Sequence, residues 1–229
     1  MQRRPAVIVA VIPAYQEAPR VGAVVAGAKA HLPVLVVDDG STDDTAAVAE
    51  AAGATVLRQR SNQGKGAALR AGFRWALDSG FEAVLTLDAD GQHDPAEIPA
   101  FVTARARTGA DVIVGWRDFS RMPPIRRLSN RLGGLAFSWA VRQRIPDNQS
   151  GYRLVSRRLM EAMLASGESG FEFEVEMITT AIRAGWAIDW VPIRTIYAGE
   201  PSHIDPWSHL TSFLRIVLKA RATVRRPRG

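Results

Sequence analysis

The sequence predicts an α/β fold with a mostly parallel central sheet and helices on both faces. Two observations lead there. Short apolar strand-like runs alternate with helical stretches through the first half of the chain. Helix starts and stops fall between them, as at Ser41-Thr42-Asp43-Asp44, Gly53 and Gly80. In order, Ala6–Ile12 reads as a strand and Arg20–His31 as an Ala- and Val-rich helix. Val34–Val37 reads as a buried strand, Thr45–Ala52 as a helix capped by Ser41 or Thr42, and Thr55–Arg58 as a third strand. Gly66–Asp78, Ala83–Leu87, Pro95–Arg107 and Asp111–Gly115 continue the alternation. Sheets of this kind bind ligands at the carboxyl ends of their strands. The loops after Ile12, Val37, Leu87 and Val114 are therefore the places to look.

The second half is less regular. Ile125–Val141 forms an amphipathic helix carrying Leu128, Leu132, Leu135, Phe137 and Trp139 among many arginines. Leu159–Ala165 and Phe171–Ala184 read as helices, and Ala187–Ile196 as extended chain. Trp207–Ala222 places Leu210, Phe213, Leu214, Val217 and Leu218 on one stripe, with Arg215, Lys219 and Arg221 elsewhere around it. Both amphipathic stretches are compatible with packing on the core or with lying on a membrane. No linker divides the chain. Residues 1–205 are read as one catalytic domain, and 206–229 as a basic amphipathic helix and tail.

A chain of 229 residues, 47% hydrophobic and 23% charged, buries a full core without cross-links. The absence of cysteine excludes disulfides and thiolate metal sites. No run reaches the roughly 18 to 20 apolar residues that span a bilayer, and the first apolar run reads as a strand rather than a signal peptide. The expectation is a cytoplasmic protein, peripheral at the cytoplasmic face of a membrane. Net charge is +6, unevenly spread. Residues 1–100 hold nine Lys/Arg against twelve Asp/Glu, whereas 117–158 hold ten Arg against Asp118 and Asp147. An acidic half suits a metal, and a basic half suits phosphates or anionic lipid.

The chemistry concentrates at strand ends. Asp88-Ala89-Asp90 follows a strand directly, and two carboxylates one residue apart can hold a hard cation such as Mg²⁺ or Mn²⁺ beside substrate phosphates. Turns and caps use the same residues, so position rather than composition makes the pair informative. Asp38-Asp39 ends the second strand, where a carboxylate can meet a base or ribose. Tyr15 and Glu17 stand at the same edge. Asn62-Gln63-Gly64-Lys65-Gly66 opens a helix, and Lys65 there can pair with a phosphate. The segment lacks the spacing of a nucleotide triphosphate loop, which excludes an ATPase of that type.

Ile12-Pro13-Ala14-Tyr15-Gln16-Glu17, Val37–Thr45, Asn62–Gly66 and Leu87–Pro95 occur in an order and spacing that resemble the inverting glycosyltransferases of family 2. The likeness is greatest to the dolichol- and polyprenyl-phosphate sugar synthases, such as dolichol-phosphate mannosyltransferase, over about residues 6–205. It implies a GT-A fold, a nucleotide-sugar donor such as GDP-mannose or UDP-glucose, and a divalent metal, Mg²⁺ or Mn²⁺. By position it implies that Pro13, Tyr15, Glu17 and Asp39 line the nucleotide site. Asp88 and Asp90 then hold metal and diphosphate, with Gln92 completing the metal shell. Gln16 stands where family members usually carry Asn. Gly115-Trp116-Arg117, Asp147–Arg153, Phe171–Glu174 and Pro201–Ile204 resemble later segments of the same synthases, with His203 replacing a commoner Lys.

A phosphate monoester acceptor is already an anionic nucleophile at neutral pH and needs cations rather than a base. Arg117, Arg131 and Arg153 are the candidates. A hydroxyl acceptor wants a carboxylate base instead, for which Asp147 and Glu174 are candidates. The expected partners are a nucleotide sugar, a polyprenyl phosphate and a membrane surface. Nucleic acid is not among them: such a partner leaves Asp88 and Asp90 without a role, and the Arg-rich stretch lacks interleaved aromatics.

Overall fold

The computed structural model describes residues 8–117, 124–168, 170, 172–194, 196, 218 and 221, with the side chains of 124–132 outside the description. Among the described residues seven strands form one sheet in the order β3-β2-β1-β4-β6-β5-β7. They are β1 (Ile8–Ala14), β2 (Val34–Asp38), β3 (Thr55–Arg58), β4 (Ala83–Thr86), β5 (Val112–Arg117), β6 (Arg153–Ser156) and β7 (Ile188–Ile193). All neighbours pair in parallel except β6, which runs antiparallel to both β4 and β5. Among the described residues they are accompanied by helices α1 (Ala18–Lys29), α2 (Thr45–Ala51), α3 (Lys65–Asp78), α4 (Ile98–Thr108), α5 (Pro124–Val141), α6 (Arg157–Met163) and α7 (Glu172–Ala184).

Strand residues alternate between two cores. Ile8, Ala10 and Ile12 of β1 face a core shared with α1 and α4, through Val21, Val25, Ile98 and Phe101. Val9 and Val11 face the opposite core, formed with Leu69 and Phe73 of α3, Met160 of α6 and Phe173 and Met177 of α7. The sheet is thus buried on both sides, as its apolar runs require. A third cluster joins Phe137, Val141 and Ile145 to Val175 and Ile178, docking the end of α5 on α7. Leu135 and Trp139, on the remainder of α5, are 67% and 62% exposed.

Three differences from the sequence reading have physical causes. β6 was not expected: unlike β3, which Gly53 and the Ser61–Gly64 loop set off, it runs straight into α6 at Arg157 with no turn residues to mark its end. The helix read as Pro95–Arg107 opens as a separate 3₁₀ turn, Pro95–Glu97, capped by the Asp94 carboxylate on Ala96 N (2.9 Å). α4 restarts at Ile98, with Pro99 in its first turn where the missing N–H is harmless. α2 is not capped by Ser41 or Thr42. Asp43 Oδ1 accepts Thr45 N (3.1 Å), while Ser41 Oγ accepts Gln16 N (3.0 Å) and Thr42 Oγ1 accepts Gln16 Nε2 (2.8 Å). Those bonds hold Gln16 at φ 57°, a left-handed conformation that Asn tolerates better than most residues. The longer Gln side chain is held there by its reach to Thr42. Of the Trp207–Ala222 segment only Leu218 and Arg221 are described; the rest, and His203, lie outside the described residues.

Close approach of α3 to β1 positions the start of α3 at the sheet's carboxyl edge. A β carbon on Gly72 lies 2.6 Å from Val11 Cγ1. In an open helix Gly→Ala stabilises by about 1 kcal/mol. Here Gly72→Ala is expected to destabilise by about 1–3 kcal/mol through overpacking. Urea denaturation measures it, and a stabilised variant would contradict the packing described.

Candidate active site

Three adjacent strands deliver polar groups to one cleft at their carboxyl ends. Its volume is about 380 Å³, and its lining includes Pro13, Tyr15, Glu17, Asp39, Lys65, Asp88 and Asp90. Tyr15 is 45% exposed, an aromatic face open to a flat ligand. Glu17 pairs with Arg20 at 2.9 Å. Asp39 is buried and spends both oxygens on the loop before α3, accepting Gln63 N (2.9 Å) and Gly64 N (2.8 Å). That carboxylate fixes the glycine-containing loop, and with it the first residue of α3, Lys65.

Lys65 is the hinge of the site's electrostatics. Its ammonium lies 2.5 Å from Asp88 Oδ1 and 2.9 Å from Glu174 Oε1. Among the described residues neither oxygen has another partner. Burial works against the charge on Lys65, but the two carboxylates outweigh it and raise its pKa above the ordinary lysine value. For Asp88, burial is likewise overcome by Lys65, then His93 and Arg117, and the pKa falls to about 2. Asp88 is therefore ionised at any physiological pH. The stability this contributes is present above its ordinary value of 3.8 and is lost as pH falls through about 2.

Asp90 is different. Burial raises its pKa above the ordinary value, and among the described residues no Lys or Arg pairs with it. Its Oδ1 accepts the backbone N–H of Gln92 at 2.9 Å. His93 is 7% exposed, and burial lowers its pKa. Its Nδ1 accepts Asp88 N at 3.1 Å, which places the ring proton on Nε2. The loop that carries Asp88 is thus braced from behind. Arg117, at the end of β5, grips Asp147 from Nε (2.7 Å) and Nη2 (3.0 Å).

Among the described residues no group of three or more His, Cys, Asp or Glu is placed to hold a metal ion unaided. Asp88 and Asp90 fit Mg²⁺ or Mn²⁺ nonetheless. Such ions commonly take one or two protein carboxylates and complete their shell with substrate phosphates and water. A cation also answers Asp90, which among the described residues has no Lys or Arg partner and, unlike Asp39, only one backbone N–H on its carboxylate.

The sequence profile described as Glycosyl transferase family 2 matches residues 9–164. The chain belongs to glycosyltransferase family 2. The polyprenol monophosphomannose synthase of Mycolicibacterium smegmatis is 32% identical to this glycosyltransferase over 199 residues, 80% of this chain and 75% of that protein. The undecaprenyl-phosphate mannosyltransferase of Micrococcus luteus is 32% identical over 204 residues, 82% of this chain and 83% of that protein. Among solved structures, glucosyl-3-phosphoglycerate synthase from Mycobacterium tuberculosis with Mn²⁺, UDP-glucose and phosphoglyceric acid superposes with a TM-score of 0.73. The two are 21% identical, and the match covers 98% of this chain and 82% of that one. A Mg²⁺ and UDP complex of the same synthase gives 0.72 at 22% identity, over 98% and 81% of the two chains. The fold is GT-A.

In the glycosyltransferase the Asp147–Arg153 segment does four separate jobs at the cleft. Asp147 anchors Arg117. Gly151 leaves room for the charge cluster: a β carbon there lies 2.8 Å from Lys65 Nζ and Glu174 Oε1 and 2.9 Å from Asp88 Oδ2. Tyr152 stacks on Phe101, with ring centroids 4.5 Å apart, and its hydroxyl donates to Asp94 O at 3.1 Å. Arg153 is 0% exposed and donates to the carbonyls of Ser150 (2.7 Å), Asn148 (3.1 Å) and Glu174. Arg153 was expected beside Arg117 as an anion-holding cation. Full burial and three carbonyl partners make it a staple instead. β6 supplies this segment because its antiparallel direction brings its start to the edge where β4 and β5 end.

The structure thus gathers Pro13, Tyr15, Glu17, Asp39, Lys65, Asp88 and Asp90. Arg117 and Gln92 do not line the cleft, although Arg117 is close enough to Asp88 to depress its pKa. The Arg131 side chain lies outside the described residues. His93 and Gly151 had no role in the sequence reading. The only clue to them was their place inside otherwise functional segments.

Arg153→Met removes the donor that ties together the carbonyls of Ser150, Asn148 and Glu174 in a buried site, and is expected to cost about 3–5 kcal/mol; an unchanged urea midpoint would contradict the staple. For Asp90 the sign is opposite. A carboxylate whose folded-state pKa is raised opposes folding once ionised, so the penalty is present above 3.8. Asp90→Asn is expected to melt higher than wild type at pH 7 in EDTA, with the gap closing below about pH 4. Identical melting at pH 7 would contradict it.

Proposed function

We propose that this glycosyltransferase moves a sugar from a nucleotide-diphosphate sugar to a polyprenyl phosphate, with a divalent cation held by Asp88 and Asp90 and completed by Gln92. The cleft supports the donor half. Tyr15 offers a face to the base, Glu17 and the 62–64 loop fixed by Asp39 bound the nucleoside, and Lys65 stands beside the carboxylates where a diphosphate is neutralised. When bound, the cation stabilises the negative charge that develops on the departing nucleoside diphosphate. Lys65 adds a second positive charge on the same side.

One observation favours a phosphate over a hydroxyl acceptor. The two carboxylates suited to act as a base are both engaged, Asp147 by Arg117 and Glu174 by Lys65. A phosphate monoester needs neither, because it attacks as an anion. It needs positive charge to approach the anionic donor, which Arg117 and Arg131 are assigned to supply. Two relatives named for polyprenol- and undecaprenyl-phosphate chemistry support the same acceptor class.

No described helix is long and apolar enough to cross a membrane. The same proposal has the protein meet its lipid acceptor at the membrane surface. Exposed Leu135, Trp139 and Leu218 offer apolar surface, and the Arg221 guanidinium lies 3.6 Å from the centre of the Trp139 ring.

The test is transfer from labelled GDP-mannose and UDP-glucose to polyprenyl phosphate in vesicles, with dephosphorylated polyprenol as the control. Product is expected only with the phosphorylated lipid and only with Mg²⁺ or Mn²⁺. Asp90→Ala is expected to lower turnover by about a hundredfold or more. Equal transfer to the free alcohol would remove the acceptor assignment, and full turnover in excess chelator would remove the cation.

A further inference from the structure

Glu174 is the buried acid whose position the reaction above does not use. It sits in the first turn of α7, 2% exposed, with its Oε1 on the Lys65 ammonium at 2.9 Å. Its backbone carbonyl is fixed by Arg153, and the space around its carboxylate exists because residue 151 is glycine. A buried carboxylate is expensive unless a cation answers it. Here the answering cation is shared with Asp88, whose Oδ1 lies 2.5 Å from the same ammonium. One Lys therefore serves two acids. Asp88 is the one whose side chain opens to the cleft, at 26% exposure against 3% for Glu174.

We propose that Glu174 is a positioning residue that keeps Lys65 from being captured by Asp88 alone, so that Asp88 is available to a divalent cation while the ammonium stays in the cleft. The inference rests on the assignment of Asp88 and Asp90 as cation ligands. With Glu174 in place, a cation arriving at Asp88 takes one of two Lys65 partners and leaves the ammonium anchored from behind. Without Glu174, Asp88 becomes the sole acid partner of Lys65. The lysine then competes with the metal directly, and every metal-binding event must also strand an ammonium. The geometry is that of a counter-ion held on a rigid helix start, not of a base. Glu174 reaches Lys65, and Lys65 reaches the ligand.

The test is Mn²⁺ binding, followed by loss of the free-ion EPR signal, in the full-length protein without donor or acceptor. Glu174→Gln is expected to weaken Mn²⁺ binding about tenfold in the wild-type background, and by less than about twofold when Lys65→Met is also present. Simple loss of a nearby negative charge predicts the same factor in both backgrounds, and that result would overturn the proposal. Glu174→Asp gives a second reading that keeps the charge but withdraws the carboxylate from Lys65. It is expected to weaken Mn²⁺ binding several-fold, and binding equal to wild type would also overturn the proposal. Asp90→Ala serves as the reference. If the wild type binds no Mn²⁺ that Asp90→Ala weakens, the cation site itself fails. If Asp90→Ala weakens binding while the Glu174 variants behave as simple charge losses, only the role of Glu174 fails.

Discussion

A single ammonium held between two carboxylates organises the functional edge of this protein. Lys65 can stand there because Asp39 pins the loop before α3 and Gly72 lets α3 lie close on β1. Glu174 can meet it because Arg153 ties the start of α7 to the turn before β6. Asp88 completes the cluster from β4, with His93 bracing its backbone. Four separate parts of the chain converge on one lysine, and the low-dielectric surroundings make each contact consequential. The cluster carries two negative charges against one positive charge, and Asp90 adds another negative charge beside it. The site is acidic by construction and suited to a cation that arrives with an anionic ligand.

Much of this edge was legible in the sequence, because strand-ending carboxylates and helix-opening glycine loops announce themselves locally. Thr55–Arg58 is the strand the sequence predicts, and α2 and α3 differ from their predicted spans by one residue at an end. The rule that ligands sit at strand carboxyl ends gathered Pro13, Asp39 and Asp88 without any side-chain geometry. What was not legible was set by long-range pairing. Nothing local distinguishes the Arg of a phosphate site from one that staples carbonyls, so Arg153 read as a ligand. Nothing local shows that Ser41 and Thr42 serve Gln16 rather than the helix they precede. β6 was hidden because it runs directly into α6 with no turn residues between them, and with it the direction from which the Asp147–Arg153 segment enters.

The charge asymmetry along the chain also acquires structure. The acidic first half builds the cleft, and the first arginine of the basic stretch, Arg117, ends β5 beside it, gripping Asp147. In the proposed reaction, two anions brought to one edge need positive charge between them that does not neutralise the proposed metal ligands. Separating the Arg117–Asp147 pair from the Lys65 cluster meets that need, since each cation has its own buried acid. Family 2 membership and the GT-A fold fix the class of chemistry, while the ion pairing around Asp147 and Glu174 bears on the kind of acceptor.

The most direct test of a cation held by Asp88 and Asp90 is anomalous diffraction from crystals grown with Mn²⁺ and, in parallel, GDP or UDP. The expected result is a single strong Mn²⁺ peak within ligand distance of both carboxylates and of the nucleotide's phosphate oxygens. A nucleoside diphosphate bound in the cleft with no such peak, or with the ion elsewhere, would contradict it.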